Sequence, residues 1–445
     1  MTAARPLCKG LLRSLPKTSK GAALLVMLFL ILATFSTIIV ATVSRASMET
    51  QKRQKTIEAM ARAKEALIAW SATRGSLAGS QRPGELPCPN VSDPVTDVVG
   101  YGNAPGSCTA GKIGRIPWKE LGIAEPLDAD GEPLWYAIDG AFRIRSGTAW
   151  TTNQPINSDT RASLKVYASD GSTLLTASGD EAAAVIFSAG PPLANQSRNT
   201  SPERISPANY LDSANGINNS TFGGPFIQGP VRDTNANVVL NDQLLVISGR
   251  EIIAAAEKRV AGEAIKLLKN YKAANSAYPY PATYNATGCT DTGSVASISD
   301  CSSDANTCRG RFPDNAEEIT TGLPNWGGSN PIPDWFSYNL WGQTLYYAVG
   351  SGSLKTPSPT LLSKCSSSLT IGAITGIKGV LITAGTPKGA IVRSKHTTPL
   401  ISQSTSLADY LEDPANQDGW TGISPSADTY SNPGANSNDR IYRLP

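Results

Sequence analysis

Residues 17–50, KTSKGAALLVMLFLILATFSTIIVATVSRASMET, constrain this chain more than any other stretch. From 22 to 43 the run is apolar except at Thr34, Ser36, Thr37 and Thr42, and it carries no charge. About 22 residues of helix span roughly 33 Å, enough for the hydrocarbon core of a bilayer. The apolar region of a secretory signal is usually about 7–15 residues long, so the run is too long for that class. A plain membrane anchor and an assembly helix remain. Neither Gly nor Pro occurs between Ala22 and Arg74, and Ile57, Met60, Leu67 and Trp70 follow at helical spacing. The pattern predicts one continuous helix of about 53 residues, its first half facing lipid or partner helices and its second half packed against a globular head. An ordinary anchor needs no such extension.

Cysteine usage, more than charge, places the remainder on the far side of an inner membrane. Five of the 39 Lys and Arg residues (Arg5, Lys9, Arg13, Lys17, Lys20) precede Gly21, where no acidic residue lies, leaving 34 against 36 acidic residues. No bulk basic character points to nucleic acid. Arg45, Lys52, Arg53 and Lys55 follow the span, so the positive-inside pattern does not orient it by itself. Six of the seven cysteines, Cys88, Cys108, Cys289, Cys301, Cys308 and Cys365, follow the span, and an even set there reads as disulfides in an oxidising compartment.

The head is written twice. GRIP, DGEPLWYAI, AVIFSAG, ANYLD and NDQLLVI, beginning at Gly114, Asp130, Ala184, Ala208 and Asn241, recur in order. Their counterparts GRFP, WGQTLYYAV, GVLITAG, ADYLE and NDRIYRL begin at Gly310, Trp341, Gly379, Ala408 and Asn438. Offsets near 200 residues mark an internal repeat. Ser248 and Glu251 form a capping-box pattern that opens a second helix, with Ile253, Val260, Ala264, Leu268 and Tyr271 as its apolar stripe. Short β-prone runs after each helix, without βαβ alternation, predict α+β heads with antiparallel sheets and long loops. The expected organisation is a basic leader at 1–21, a membrane and amphipathic helix at 22–74, and heads at 75–247 and 248–445.

Catalytic chemistry has no foothold: there is one histidine and no nucleophile, zinc or phosphate-loop motif. Cys88 and Cys108 flank a Gly/Pro-rich loop whose closure offsets about 3 kcal/mol of chain entropy. By analogy in the repeat, Cys289 would join Cys308 and leave Cys301 with Cys365, although four cysteines allow three connectivities. Arg115 and Arg311 recur in both copies and read as fasteners within each head rather than as ligand-binding groups. Of the aromatics at 324–347, Trp326 and Trp335 are the candidates for ligand contact, the rest for core. Asp409, Glu412, Asp413 and Asp418 are weak calcium candidates whose spacing fits no EF-hand. No other cofactor is implied.

The basic leader, Lys20-Gly21, the apolar helix and its amphipathic extension resemble type IV pilins and type II secretion pseudopilins. That resemblance is close over 17–74 and general over the heads. It implies cleavage between Gly21 and Ala22 by a prepilin peptidase. The implied partners are related subunits, met through the N-terminal helix at or near a filament tip. Most members begin the mature chain with Phe or Met and have Glu at its fifth position; this chain has Ala22 and Val26, as do glutamate-lacking tip subunits at that fifth site. The alternative is a non-assembling periplasmic binding protein on a membrane anchor, for example one that binds glycans.

Overall fold

The computed structural model describes residues 20–74, 81–144, 155–282, 308–313, 332–354, 365–389, 391, 393, 407–417, 428–432, 434 and 437–445. The side chains of 20–24, 26, 33–46, 337, 338 and 343 lie outside that description. Two compact units result, Met1–Lys55 and Thr56–Pro445. Helix α1 (Lys20–Thr73) has no interior Pro and Gly only at its second position, so nothing in it interrupts the hydrogen-bond ladder. In the first unit Leu25 and residues 27–32 are exposed. Among the described residues no helix is long and apolar enough to cross a membrane. Most side chains of the expected span, 22–43, lie outside the description.

The second unit holds two four-stranded antiparallel sheets with the same connectivity. The first is ordered β1 (Ile113–Arg115), β2 (Trp135–Ile138), β3 (Ala182–Ser188), β4 (Gln243–Ser248). After it comes α2 (Gly249–Asn275). The second sheet is ordered β5 (Arg309–Arg311), β6 (Leu345–Val349), β7 (Gly379–Thr383), β8 (Arg440–Leu444). The repeated landmarks lie on these strands: Arg115 faces Trp135 across β1–β2 as Arg311 faces Tyr346 across β5–β6.

Each sheet is covered on one face by a helix, because strand residues alternate sides and the helix offers a single apolar stripe. In the first head Ala59, Met60, Ala63 and Leu67 of α1 meet Tyr136, Ile138, Ala184 and Ile186. Met60 and Leu67 of the expected stripe are buried, whereas Ile57 is 48% exposed, and Ala59 and Ala63 complete the buried face. In the second head Val260, Ala264, Leu268 and Tyr271 meet Leu345, Tyr347, Val349 and Leu381. Loops and a short parallel ladder cover the opposite faces, Val166–Tyr167 with Phe226–Ile227 in one head and Leu369–Ile371 with Thr429–Tyr430 in the other.

The capping box at Ser248 is formed in both directions. The expected boundary there does not separate two cores, however, because Ile252 and Ile253 of α2 belong to the first head's core while Ala256 onward belongs to the second's. The outer edge of β4 is also closed: Gln228 Oε1 accepts from Leu244 N at 2.9 Å, and Lys64 Nζ donates to Val246 O at 2.8 Å.

Candidate functional site

The repeat extends to a buried polar network on the loop face of each sheet. In the first head the Arg115 guanidinium lies over Trp135 at 5.2 Å and over Tyr101 and Tyr210 at 5.6 Å, and it donates to Ser92 O and Arg204 O. In the second, Arg311 lies over Tyr346 at 5.9 Å and Tyr410 at 5.5 Å. Both side chains are buried, so neither offers its charge to a ligand in solution.

A second arginine completes each copy. Arg198 Nε donates to Asn209 O at 2.8 Å and Nη1 to Gly190 O at 3.3 Å, with Tyr210 4.2 Å from its guanidinium. Arg393 makes the same bonds to Asp409 O and, at 2.6 Å, to Gly385 O, over Tyr410 at 5.0 Å. Gly190 and Gly385 hold φ of +61° and +63°, a conformation that a side chain would strain, and the Asn241 and Asn438 side chains close over them.

Next to each arginine the carboxylates interlock. Asp242 accepts from Asp212 N, and Asp212 accepts from Asn241 N; Asp439 accepts from Glu412 N, and Glu412 accepts from Asn438 N. Burial raises the pKa of Asp212, Asp242 and Glu412, and the Asp212 charge raises Asp242 further.

These bonds account for most of the acidic run beginning at Asp409. Glu412 is engaged by Arg393 and Asn438, Asp413 caps Ala415 N and accepts from Ser431, and Asp409 gives its carbonyl to Arg393. The carboxylates of Glu412 and Asp413 therefore face protein donors. Among the described residues no group of three or more His, Cys, Asp and Glu is arranged to hold a metal. Asp418 lies outside the described residues.

Cys88 is bonded to Cys108, and Cys308 to Cys365 rather than to Cys289. Strand register explains the difference. Asn90 bridges Arg115 and Ala282 bridges Arg311, so PCPN at 87–90 matches PYPA at 279–282, and Tyr280 stands where Cys88 does. Tyr136 and Tyr347 donate to the matching carbonyls of Pro87 and Pro279. Cys308 immediately precedes β5, whereas Cys108 lies five residues before β1. Cys289 and Cys301 lie outside the described residues.

Trp335, expected as an exposed exception, is 1% exposed and packs on Phe336 with ring centroids 5.9 Å apart. It is the second residue of a short helix, Asp334–Tyr338, and with Phe336 it belongs to the second core. Trp326 lies outside the described residues. Gly21, Ala22 and Val26 lie in α1, with side-chain positions outside the description.

The heads meet through polar groups. Arg82 Nη1 and Ile156 N both donate to Asn339 Oδ1 at 2.9 Å, and Asn157 Nδ2 donates to Asn339 O at 3.0 Å. Ser158 Oγ donates to Glu257 Oε1 at 2.5 Å, and Asp159 lies 3.7 Å from Arg393. Arg161 donates to Gly389 O at 3.3 Å and to Ile391 O. Burial pushes the Glu257 carboxyl up to about 7 against the pull of Ser158, Arg393 and Arg440.

One open cavity of about 520 Å³ borders this network in the first head. Its walls are the 193–196 turn, Asp212 and the Val238–Val239 strand end. Sequence reasoning missed Arg198 and Arg393, although each stands eight residues after the glycine that ends its AVIFSAG or GVLITAG run.

No family model matches the chain, and no curated protein or solved structure is significantly similar to it.

Proposed function

We propose that this chain is a non-enzymatic assembly subunit of the minor pilin or pseudopilin kind. On this reading it is inserted in an inner membrane, cut after Gly21 by a prepilin peptidase, and carried at or near the tip of a type IV pilus or type II secretion pseudopilus. The observation that carries this reading is α1. Lys20–Thr73 is one helix, and its Met60–Leu67 turns form the floor of an antiparallel sheet. A helix of 54 residues with seven exposed apolar side chains at 25 and 27–32 needs a non-aqueous surrounding for that stretch. Lipid supplies it before assembly and neighbouring helices supply it afterwards. Val26 brings no carboxylate to pair with a neighbour's N-terminal ammonium, which favours a place where no subunit stacks beyond it.

Intact mass and N-terminal sequencing of the protein from native membranes test the reading. The expected chain starts at Ala22, with the mass of one added methyl group. A chain that retains Arg5 through Lys20 would instead be a plain anchor, and the function would have to be sought in ligands of the heads.

A further inference from the structure

The two copies of the polar network differ in what touches them. In the second head the turn closed by Ile391 N donating to Lys388 O, at 3.1 Å, is where the first head docks: Arg161 donates to the carbonyls of Gly389 and Ile391. Counted from Gly385 and Gly190, the matching turn of the first head is closed by Gln196 N donating to Leu193 O at 2.9 Å. The carbonyls matching those that receive Arg161 are those of Ala194 and Gln196, and among the described residues no hydrogen bond of this chain reaches them.

That turn is a wall of the 520 Å³ cavity. Ser213, Asn218 and Ser220 also line it, with Leu211, Val239 and Asp212, whose buried carboxylate accepts from Gln196 Nε2 at 2.8 Å and from Asn241 N at 2.9 Å. No basic residue lines it. Arg198, the nearby cation, is held 2.8 Å from Glu132 and so does not repel a second cation. Backbone carbonyls in a turn suit a planar guanidinium, which donates to two acceptors at once.

We propose that this cavity of the first head is a docking site for an arginine-bearing loop of a neighbouring protein subunit, seated as Arg161 is seated on the turn of the second head. The loop is not the 157–161 segment of a second copy of this chain, because Asn157, Ser158 and Asp159 are buried at the junction between its heads. That the neighbour is a fellow assembly subunit rests on the function proposed above; the preference for a guanidinium on a loop does not.

The test titrates the full chain in detergent with a labelled peptide, PINSDTRAS, copied from residues 155–163. Saturable binding is expected below about 1 mM, weakened about tenfold or more when the peptide's arginine is replaced by glutamine. Ala194→Arg, at an exposed position, places a cation in the cavity and is expected to abolish binding while leaving the melting curve unchanged. The proposal is overturned if no saturable binding is seen, if the glutamine peptide binds equally well, or if Ala194→Arg has no effect. Free arginine binding as tightly as the peptide also overturns it, since the cavity would then take a small molecule. N-terminal processing is read separately, so either proposal can fail without the other.

Discussion

Glu257 is a carboxyl with no route to water, held by Ser158 at 2.5 Å where the two heads meet. Its pKa is pushed up to about 7 by burial, above the ordinary carboxyl range it regains on unfolding. The unfolded state therefore gives up this proton first, and the stabilisation present below about pH 4.5 is lost as pH rises through 7. Asp212, Asp242 and Glu412, also raised, act in the same direction. The melting temperature should thus be higher at pH 5 than at pH 7.5, and Glu257→Gln should flatten that slope by about 1–3 kcal/mol of stability. Calorimetry at the two pH values checks it. Gly310 gives a second residue-scale prediction: any Cβ there runs into the Ala282 carbonyl oxygen on a backbone that cannot move without breaking its bridge to Arg311. Gly310→Ala should cost about 1–3 kcal/mol in denaturant titration, as overpacking does elsewhere.

At the scale of elements, what could be read from the sequence was what the repeat wrote in similar letters. GRIP and GRFP hold the ends of two strands, and WYAI and YYAV are strands buried at every position, which leaves few acceptable residue types. The capping box at Ser248 was equally legible, since it is a local bond between two side chains and their own backbone. The match of PCPN to PYPA was not, because Cys88 and Tyr280 share no chemistry and only the backbone bridges of Asn90 and Ala282 equate them. Trp335 was misread for a related reason: a short helix at Asp334–Tyr338 has no counterpart in the first copy to announce that it faces inward. The cap carries a prediction of its own. Ser248→Ala removes the acceptor for Glu251 N and should cost about 1 kcal/mol, read as a lower denaturation midpoint with an unchanged slope.

At the scale of the molecule, the second unit should melt as one body. Ile252 and Ile253 sit in one core and Val260 through Tyr271 in the other, on a single helix. Loosening either head therefore frays the element on which both rest. Leu268→Ala removes a fully buried side chain and should cost about 2–5 kcal/mol, lowering one shared calorimetric transition and not the later of two. The disulfides set the limits of that cooperativity, closing 20 residues in the first head and 57 in the second, worth about 3 and about 4 kcal/mol.

The shared helix also imposes an order on synthesis. The first sheet can form once Ser248 is available, but its core still lacks Ile252 and Ile253, and the loop at Ser158 and Asp159 still lacks Glu257 and Arg393. A chain emerging N-terminus first would hold its first head incomplete until the second had begun to arrive, with Ser158 and Asp159 reachable throughout that interval. Any factor that met the growing chain would find a half-built head with its junction open, and the final closure would come only after Arg393 had been made.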